Sequence, residues 1–528
     1  MTLTESPVAE SEAAADADGA AAPASPAETL GTPRGLAQPF MTSDSAQVGR
    51  LFVVASLLLG LGTAIVGVLL SLGRTDAVAP DDLFGGLNAY FRMWTLYRVS
   101  FLLLVVMPLL LGLALAVVPA QVGAGNVAFP RAALASFWSW LIGALIIVAS
   151  VLAGGGWGAV DGVTGNESDA MALTLLGTGM VIVGLLLGAV VVATTVISLR
   201  QTGMSLLDVP PFSWSMLVTA VVWLFSLPVA VANIVVIYAD LRGRPAIAFG
   251  RPESPDIWLQ LDWLVEQPAV YAMAVPVLGI IFSAAGAAVN ARSSRPEAML
   301  IVVGLFGLLA MGGWSQDYFT APQDLRDGLV YVAFGLAAVV PVVATAGGVG
   351  ELMMRGSKTL DRLLDTRMLG AGAALKLLGA AALVGALRVI EPLDLLETSA
   401  TWAVFHGVAV AGLVAAVAAL ATWSQLLFGP IEQRIARGAV VLLFGGGGLL
   451  VLADLISGFI ADDPDLMALA LDGSAALNVV ALVGSLLVAA GLGAVLLGTV
   501  SALGARAAGE RSRQERESKP AAAGSEAA

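Results

Sequence analysis

The chain has 528 residues, of which 58% are hydrophobic and only 12% charged. No soluble interior of that length accommodates so much apolar surface, so the composition points to a bilayer as solvent. With no cysteine and a single histidine, His406, disulfides, thiolate metal sites and cysteine nucleophiles are excluded, and imidazole chemistry is limited to one side chain.

Residues 1–47 are rich in Ala, Pro, Ser, Glu and Asp without an apolar run, and are expected to form a disordered acidic tail. Residues 48–505 read as one membrane domain and 506–528 as a second disordered tail. At about 20 apolar residues per crossing, the domain holds about twelve spans. They are expected near 50–72, 97–118, 133–155, 170–197, 213–238, 267–290, 298–315, 328–352, 370–389, 400–427, 438–460 and 475–504. The fold class is therefore all-α and integral to the membrane, with twelve transmembrane helices. Gly and Ala recur within the spans, and the run Gly445 to Gly448 is read as a tight helix crossing. No Lys-Ser or Lys-Thr follows that run, as a phosphate loop would require.

Basic residues orient the chain. Placing the amino terminus in the cytoplasm puts about 17 of them inside and about 8 outside. Arg355, Lys358, Arg362 and Arg367 form the strongest inner loop, with Arg292, Arg295, Arg434, Arg437 and the tail from Arg506 to Lys519 on the same side. Asp161, Glu167, Asp169 and Asp462 to Asp465 fall outside. The expectation is a multi-pass protein of the inner or plasma membrane with both termini cytoplasmic. No nucleic-acid motif is present, so the bilayer is the expected first partner.

Several segments, taken in order, resemble subunit I of the haem-copper respiratory oxidases. Val105-Val106-Met107-Pro108, then Gly125-Asn126 through Arg131 and Ser136-Phe137-Trp138, resemble that family's second helix, its loop and the start of its third. Thr202 to Ala220 with Leu227-Pro228 resembles its fifth helix and the approach to it. Trp263 to Tyr271 is similar to Trp-Phe-Phe-Gly-His-Pro-Glu-Val-Tyr, and Glu397 to His406 to the tenth-helix Asp-Thr-Tyr-Tyr-Val-Val-Ala-His-Phe-His. The resemblance implies a cytochrome c oxidase-type fold and, as partners, other subunits of a respiratory complex.

Carried over residue by residue, the resemblance leaves little of the family's chemistry. Its two low-spin haem ligands fall on Tyr97 and His406, and its high-spin haem ligand falls on Val404, which has no lone pair. The copper ligands fall on Gln267, Gln316 and Asp317, none of them the neutral imidazole that copper favours there. No copper is expected. The proton-pathway positions become Asn126, Ala269 and Thr345, while Tyr271 stands where the family has its crosslinked tyrosine. The propionate-pairing arginines are replaced by acids at Asp462 to Asp465. The outer metal pair becomes Leu396 and Glu397.

Two readings of His406 follow. It is an interhelical hydrogen-bonding residue, or it holds one haem with Tyr97, or nothing, on the opposite face; Tyr can ligate ferric haem. Arg98 and Asp454 are expected to snorkel from the span ends, and Lys376 likewise. The expected function is that of a non-catalytic oxidase subunit I homologue acting as a complex subunit or assembly partner. The alternatives are a single-haem redox protein using His406, and a transporter or channel through the vacated cofactor cavities by way of Tyr271, Gln267, Gln316 and Asp317.

Overall fold

A computed structural model describes residues 42–75, 77–78, 80–156, 168–242, 268–312, 332–333, 335–393, 395, 398–460 and 475–518. The described residues are helical or connect helices. The main elements are α1 (Ser45–Gly73), α2 (Leu87–Val99) and α3 (Met107–Val122), then α4 (Pro130–Leu152), α5 (Ser168–Ser198) and α6 (Pro211–Leu241). They continue with α7 (Pro268–Val289), α8 (Pro296–Gly312), α9 (Val339–Arg355) and α10 (Thr366–Arg388). The last three are α11 (Ala400–Thr422), α12 (Gln433–Ile460) and α13 (Ala475–Ser518).

Among the described residues, 11 helical segments are long and apolar enough to cross a membrane. The expected span near 298–315 falls on α8, whose apolar stretch among the described residues is Pro296–Leu309; residues 313–315 lie outside them. Boundaries shift where polar residues continue a helix. The second span begins at Ala89 rather than 97. The first helix starts at Ser45, inside the expected tail, because Asp44 caps it by accepting from the Ala46 N–H at 3.0 Å. The last runs on to Ser518 through the segment expected to be a disordered tail, where Ala, Arg, Glu and Gln have high helix propensity.

Two spans are apolar around their whole circumference, and both are enclosed. The most apolar 18-residue stretches of Ala89–Val122 and of Ala400–Thr422 are entirely buried inside the protein. The other helices surround them and turn Leu145, Phe225, Ile301, Leu308, Val441 and Leu497 outward, as a lipid-facing surface allows. Most helices pack on their neighbours in sequence, and α13 returns to pack on α1. Glycines set the closest approaches: a Cβ at Gly446 would stand 2.6 Å from the Gly484 carbonyl oxygen on α13, and one at Gly447 would stand 2.7 Å from Val410 on α11. The Gly445 to Gly448 run is thus a two-sided helix crossing, as its composition predicts.

Between α2 and α3 the chain forms a π-helical segment, Ser100–Val106. Where it ends is visible in the sequence. Pro108 has no N–H, so the next rung of an i to i−5 ladder, to the Leu103 carbonyl, cannot form. In hydrocarbon that carbonyl needs another donor. The Trp140 indole N–H supplies it from α4 at 3.0 Å, and Trp140 is fully buried. Similar clasps join other pairs: the Ser136 hydroxyl donates to the Gly184 carbonyl at 2.7 Å, and the Trp214 indole to that of Leu300 at 2.9 Å.

Trp140→Phe is expected to lower stability by about 1–3 kcal/mol, because it orphans the Leu103 carbonyl while keeping most of the ring volume. Thermal unfolding of the detergent-solubilised chain measures it. At the start of α10, Asp365 accepts from the Arg367 backbone N–H at 2.8 Å and pairs with its guanidinium at 2.7 Å. The Arg367 side chain holds the Asp365 carboxyl below its ordinary range. A depressed carboxyl contributes stability above its unfolded pKa and loses it as pH falls through the folded value. Melting temperature should therefore fall on acidification below about pH 4, and Asp365→Asn should flatten part of that fall.

Candidate functional site

The lone histidine lies on the fully enclosed helix. His406 follows Ala400 by six residues, about 9 Å into α11 at 1.5 Å per residue. Asp454 precedes Ile460, the end of α12, by the same interval. Because α12 runs back toward the level at which α11 starts, the two side chains meet at one depth. Tyr97, near the end of α2, reaches that level from the other enclosed span.

The three groups form one buried chain of hydrogen bonds. Asp454 Oδ2 is 2.7 Å from His406 Nδ1, and His406 Nε2 is 2.9 Å from Tyr97 Oη. An acceptor-only carboxylate at Nδ1 fixes the proton there. Nε2 then offers its lone pair, and the tyrosine O–H donates to it. All three side chains are at most 5% exposed. The Ser399 hydroxyl donates to the Asp454 backbone carbonyl at 2.7 Å, tying the start of α11 to α12.

Asp454 therefore does not snorkel, contrary to expectation. It turns inward because an interior histidine, His406, offers an N–H 2.7 Å from its carboxylate. Arg98 is likewise buried, 6% exposed, with its guanidinium 5.3 Å from the Trp402 ring centroid. Its cation is stabilised by an aromatic face inside the protein rather than by the interface. Lys376 differs from both: it is exposed on α10, its ammonium 5.7 Å from the Phe444 ring centroid. It stands ten residues from the start of that helix, because capping at Asp365 begins α10 four residues before the expected 370. It is therefore nearer the middle of its span than the sequence implied.

Aromatic rings fill the interface between the two enclosed spans. Trp94 meets Trp402 with centroids 4.9 Å apart, and Trp94 stacks on Tyr97 at 5.9 Å. Phe101 meets Phe405 at 6.0 Å, and Phe405 meets His406 at 5.5 Å. Farther along, a Cβ at Gly412 would lie 2.6 Å from Val106. Behind the tyrosine, Gly67 on α1 makes room for its ring; a Cβ there would lie 2.6 Å from Tyr97 Cε2.

This geometry does not fit a haem ligated by both residues. Two axial donors on one iron stand about 4 Å apart, two bonds of about 2 Å each, with a macrocycle between them. Here the donors are in direct contact at 2.9 Å. The His406 lone pair accepts the tyrosine proton, and no macrocycle fits between donors 2.9 Å apart.

The other residues singled out in the sequence divide in two. Asn126 is structural: its side chain donates to the Ser43 carbonyl at 2.9 Å and accepts from the Val127 and Ser45 N–H groups, at 2.8 and 3.3 Å. Thr345 is fully buried and donates to the Pro341 carbonyl within its own helix. Val404 is buried at 8% exposure. Gln267, Gln316, Asp317, Leu396, Glu397 and Asp462 to Asp465 lie outside the described residues, as do the side chains of Ala269 and Tyr271. Among the described residues, no three His, Cys, Asp or Glu side chains gather as metal ligands would.

Breaking the triad should destabilise the chain in proportion to what is left unpaired. Tyr97→Phe and Asp454→Ala are each expected to cost about 1–3 kcal/mol, with Asp454→Ala the larger because it strands an N–H in an apolar interior. A double-mutant cycle on melting in detergent should show coupling of at least about 0.5 kcal/mol between the two sites, since both act through the same imidazole. Additive effects would mean that the hydrogen bonds are not linked.

Comparison with known proteins points to the family that the motifs resemble. The sequence model described as cytochrome C and Quinol oxidase polypeptide I matches residues 47–495. A putative cytochrome c oxidase subunit 1-beta of Streptomyces avermitilis is 28% identical over 74% of this chain and 69% of its own length. Quinol oxidase subunit 1 of Bacillus subtilis is 24% identical over 75% of this chain and 62% of its own. A probable cytochrome c oxidase subunit 1-beta of Nocardia farcinica is 28% identical over 75% and 68%. With that model matching most of its length, the chain belongs to the cytochrome c and quinol oxidase polypeptide I family.

Proposed function

We propose that this chain is a non-catalytic member of its family, a membrane subunit or assembly partner in a respiratory complex that does not itself carry out oxygen reduction. One observation carries the reading: the direct hydrogen bond between Tyr97 and His406, backed by Asp454. In the family resemblance these two positions are the low-spin haem ligands. Here they bind each other, and the surrounding rings close the interface. The triad performs the structural part of a cofactor's work, joining α2, α11 and α12 at one level. Val404 at the high-spin ligand position supports the same reading, because an isopropyl group cannot bind iron.

The relatives' names describe one subunit of a larger oxidase, which supports a role among other respiratory subunits. The basic loop around Arg355 to Arg367 supports a cytoplasmic placement of both termini.

Purified chain, produced with haem and copper in excess, should show no Soret band and no stoichiometric copper. It should consume no oxygen with reduced cytochrome c or quinol. Conversely, a low-spin haem spectrum that disappears in His406→Ala would overturn the proposal and establish the single-haem reading. Ion or solute flux in proteoliposomes, lost on substitution of Tyr271 or Gln267, would establish the channel reading instead.

A further inference from the structure

We propose that the outward face of α10 around Lys376 is the docking surface for a transmembrane helix of a partner subunit, one that carries a carboxylate at mid-bilayer depth. The inference rests on the reading of this chain as a complex subunit, and adds where the partner sits and which charge recognises it.

Lys376 follows Thr366 by ten residues and precedes Arg388 by twelve. At 1.5 Å per residue these are about 15 Å and 18 Å, each about half of a 30 Å hydrocarbon layer. A lysine stem spans about one helical turn, roughly 5 Å, so it cannot carry the ammonium from that depth to water. The side chain is nevertheless exposed on the surface of the bundle. Among the described residues, its ammonium meets the face of Phe444 on α12, at 5.7 Å. An aromatic face attracts a cation but brings no counter-charge. Among the described residues no carboxylate pairs with Lys376.

The surface around it suits a helix. Gly372, Gly379 and Leu383 share the Lys376 face by helical spacing. A Cβ at Gly372, at Gly379 or at Gly448 on neighbouring α12 would meet nothing within 4 Å, so these glycines line a shallow, open surface rather than an internal contact. Small residues there let another backbone approach closely. Leu383 and Val441, 56% and 65% exposed, extend the face with apolar surface.

Charge decides between occupants. Lipid tails offer no acceptor, and anionic headgroups lie half a bilayer away. A second copy of this chain docked symmetrically on this face would oppose two ammonium groups across the two-fold axis. A different helix with a mid-span Asp or Glu neutralises the charge.

The test uses the full chain in its native membranes, with a photo-reactive amino acid at Leu383. Crosslinking should capture a membrane-spanning peptide of another subunit with a central Asp or Glu. Lys376→Leu should reduce that product at least roughly tenfold, and pairing Lys376→Glu with a lysine at the partner's acid should restore it. The Lys376→Leu chain should melt close to the parent in detergent, since it removes an exposed charge and one cation–π contact, so loss of the crosslink is not misfolding. Capture of lipid alone, of a second copy, or of a segment without a central carboxylate overturns the proposal, as does an undiminished yield with Lys376→Leu. Co-sedimentation with other respiratory subunits is read in parallel. A complex that persists while the crosslink ignores Lys376 overturns the surface alone, and a chain that sediments by itself overturns the subunit reading too.

Discussion

Hydrocarbon has no hydrogen bonds to give, and this constraint organises the whole bundle. Each polar group within a span must be satisfied by the protein itself. Pro108 removes one backbone donor where the π segment ends, and Trp140 on another helix supplies the missing N–H. The same rule joins Tyr97, His406 and Asp454: each has a group that would be costly alone at that depth, and together they satisfy one another. Among the described residues, the accounting is left open at the buried Ser56 hydroxyl and Trp223 indole N–H and, for charge, at the exposed Lys376.

On the proposed non-catalytic reading, the triad also accounts for how the fold outlasts its chemistry. In the family resemblance a haem holds the second and tenth helices together. Here the enclosed spans meet directly, through Trp94 and Trp402, Phe101 and Phe405, and Val106 and Gly412. Aromatic side chains occupy large volumes with few rotatable bonds, so they close a wide interface at modest entropic cost. Gly67 adjusts α1 to the tyrosine ring behind it. On that reading, the positions of the axial pair hold a crosslink made of hydrogen bonds, with the carboxylate setting the imidazole tautomer.

Much of this was legible in the chain itself. Apolar run length located the spans, because hydrocarbon thickness fixes how many residues a helix needs. The ordered motifs around Pro108, Pro130, Trp214 and His406 pointed to the family, and the scarcity of imidazoles limited its metal chemistry. Charge direction was not legible. Arg98 and Asp454 sit close enough to span ends to snorkel, and distance from an end is all that a linear pattern reveals. Whether a side chain turns out to water or in to a partner depends on which other helix stands beside it, some 300 residues away for Tyr97 and His406.

Sequence alone determined that the protein is a multi-span helical membrane protein of oxidase ancestry with one imidazole to spend. Those properties follow from composition, run length and motif order, which are local. Only the tertiary structure decided that the imidazole meets a phenol and a carboxylate, because that depends on the rotation and height at which three separate helices pack. It likewise decided that Lys376 faces outward. A helix has one sequence but many possible rotations about its axis, and packing against its neighbours selects among them.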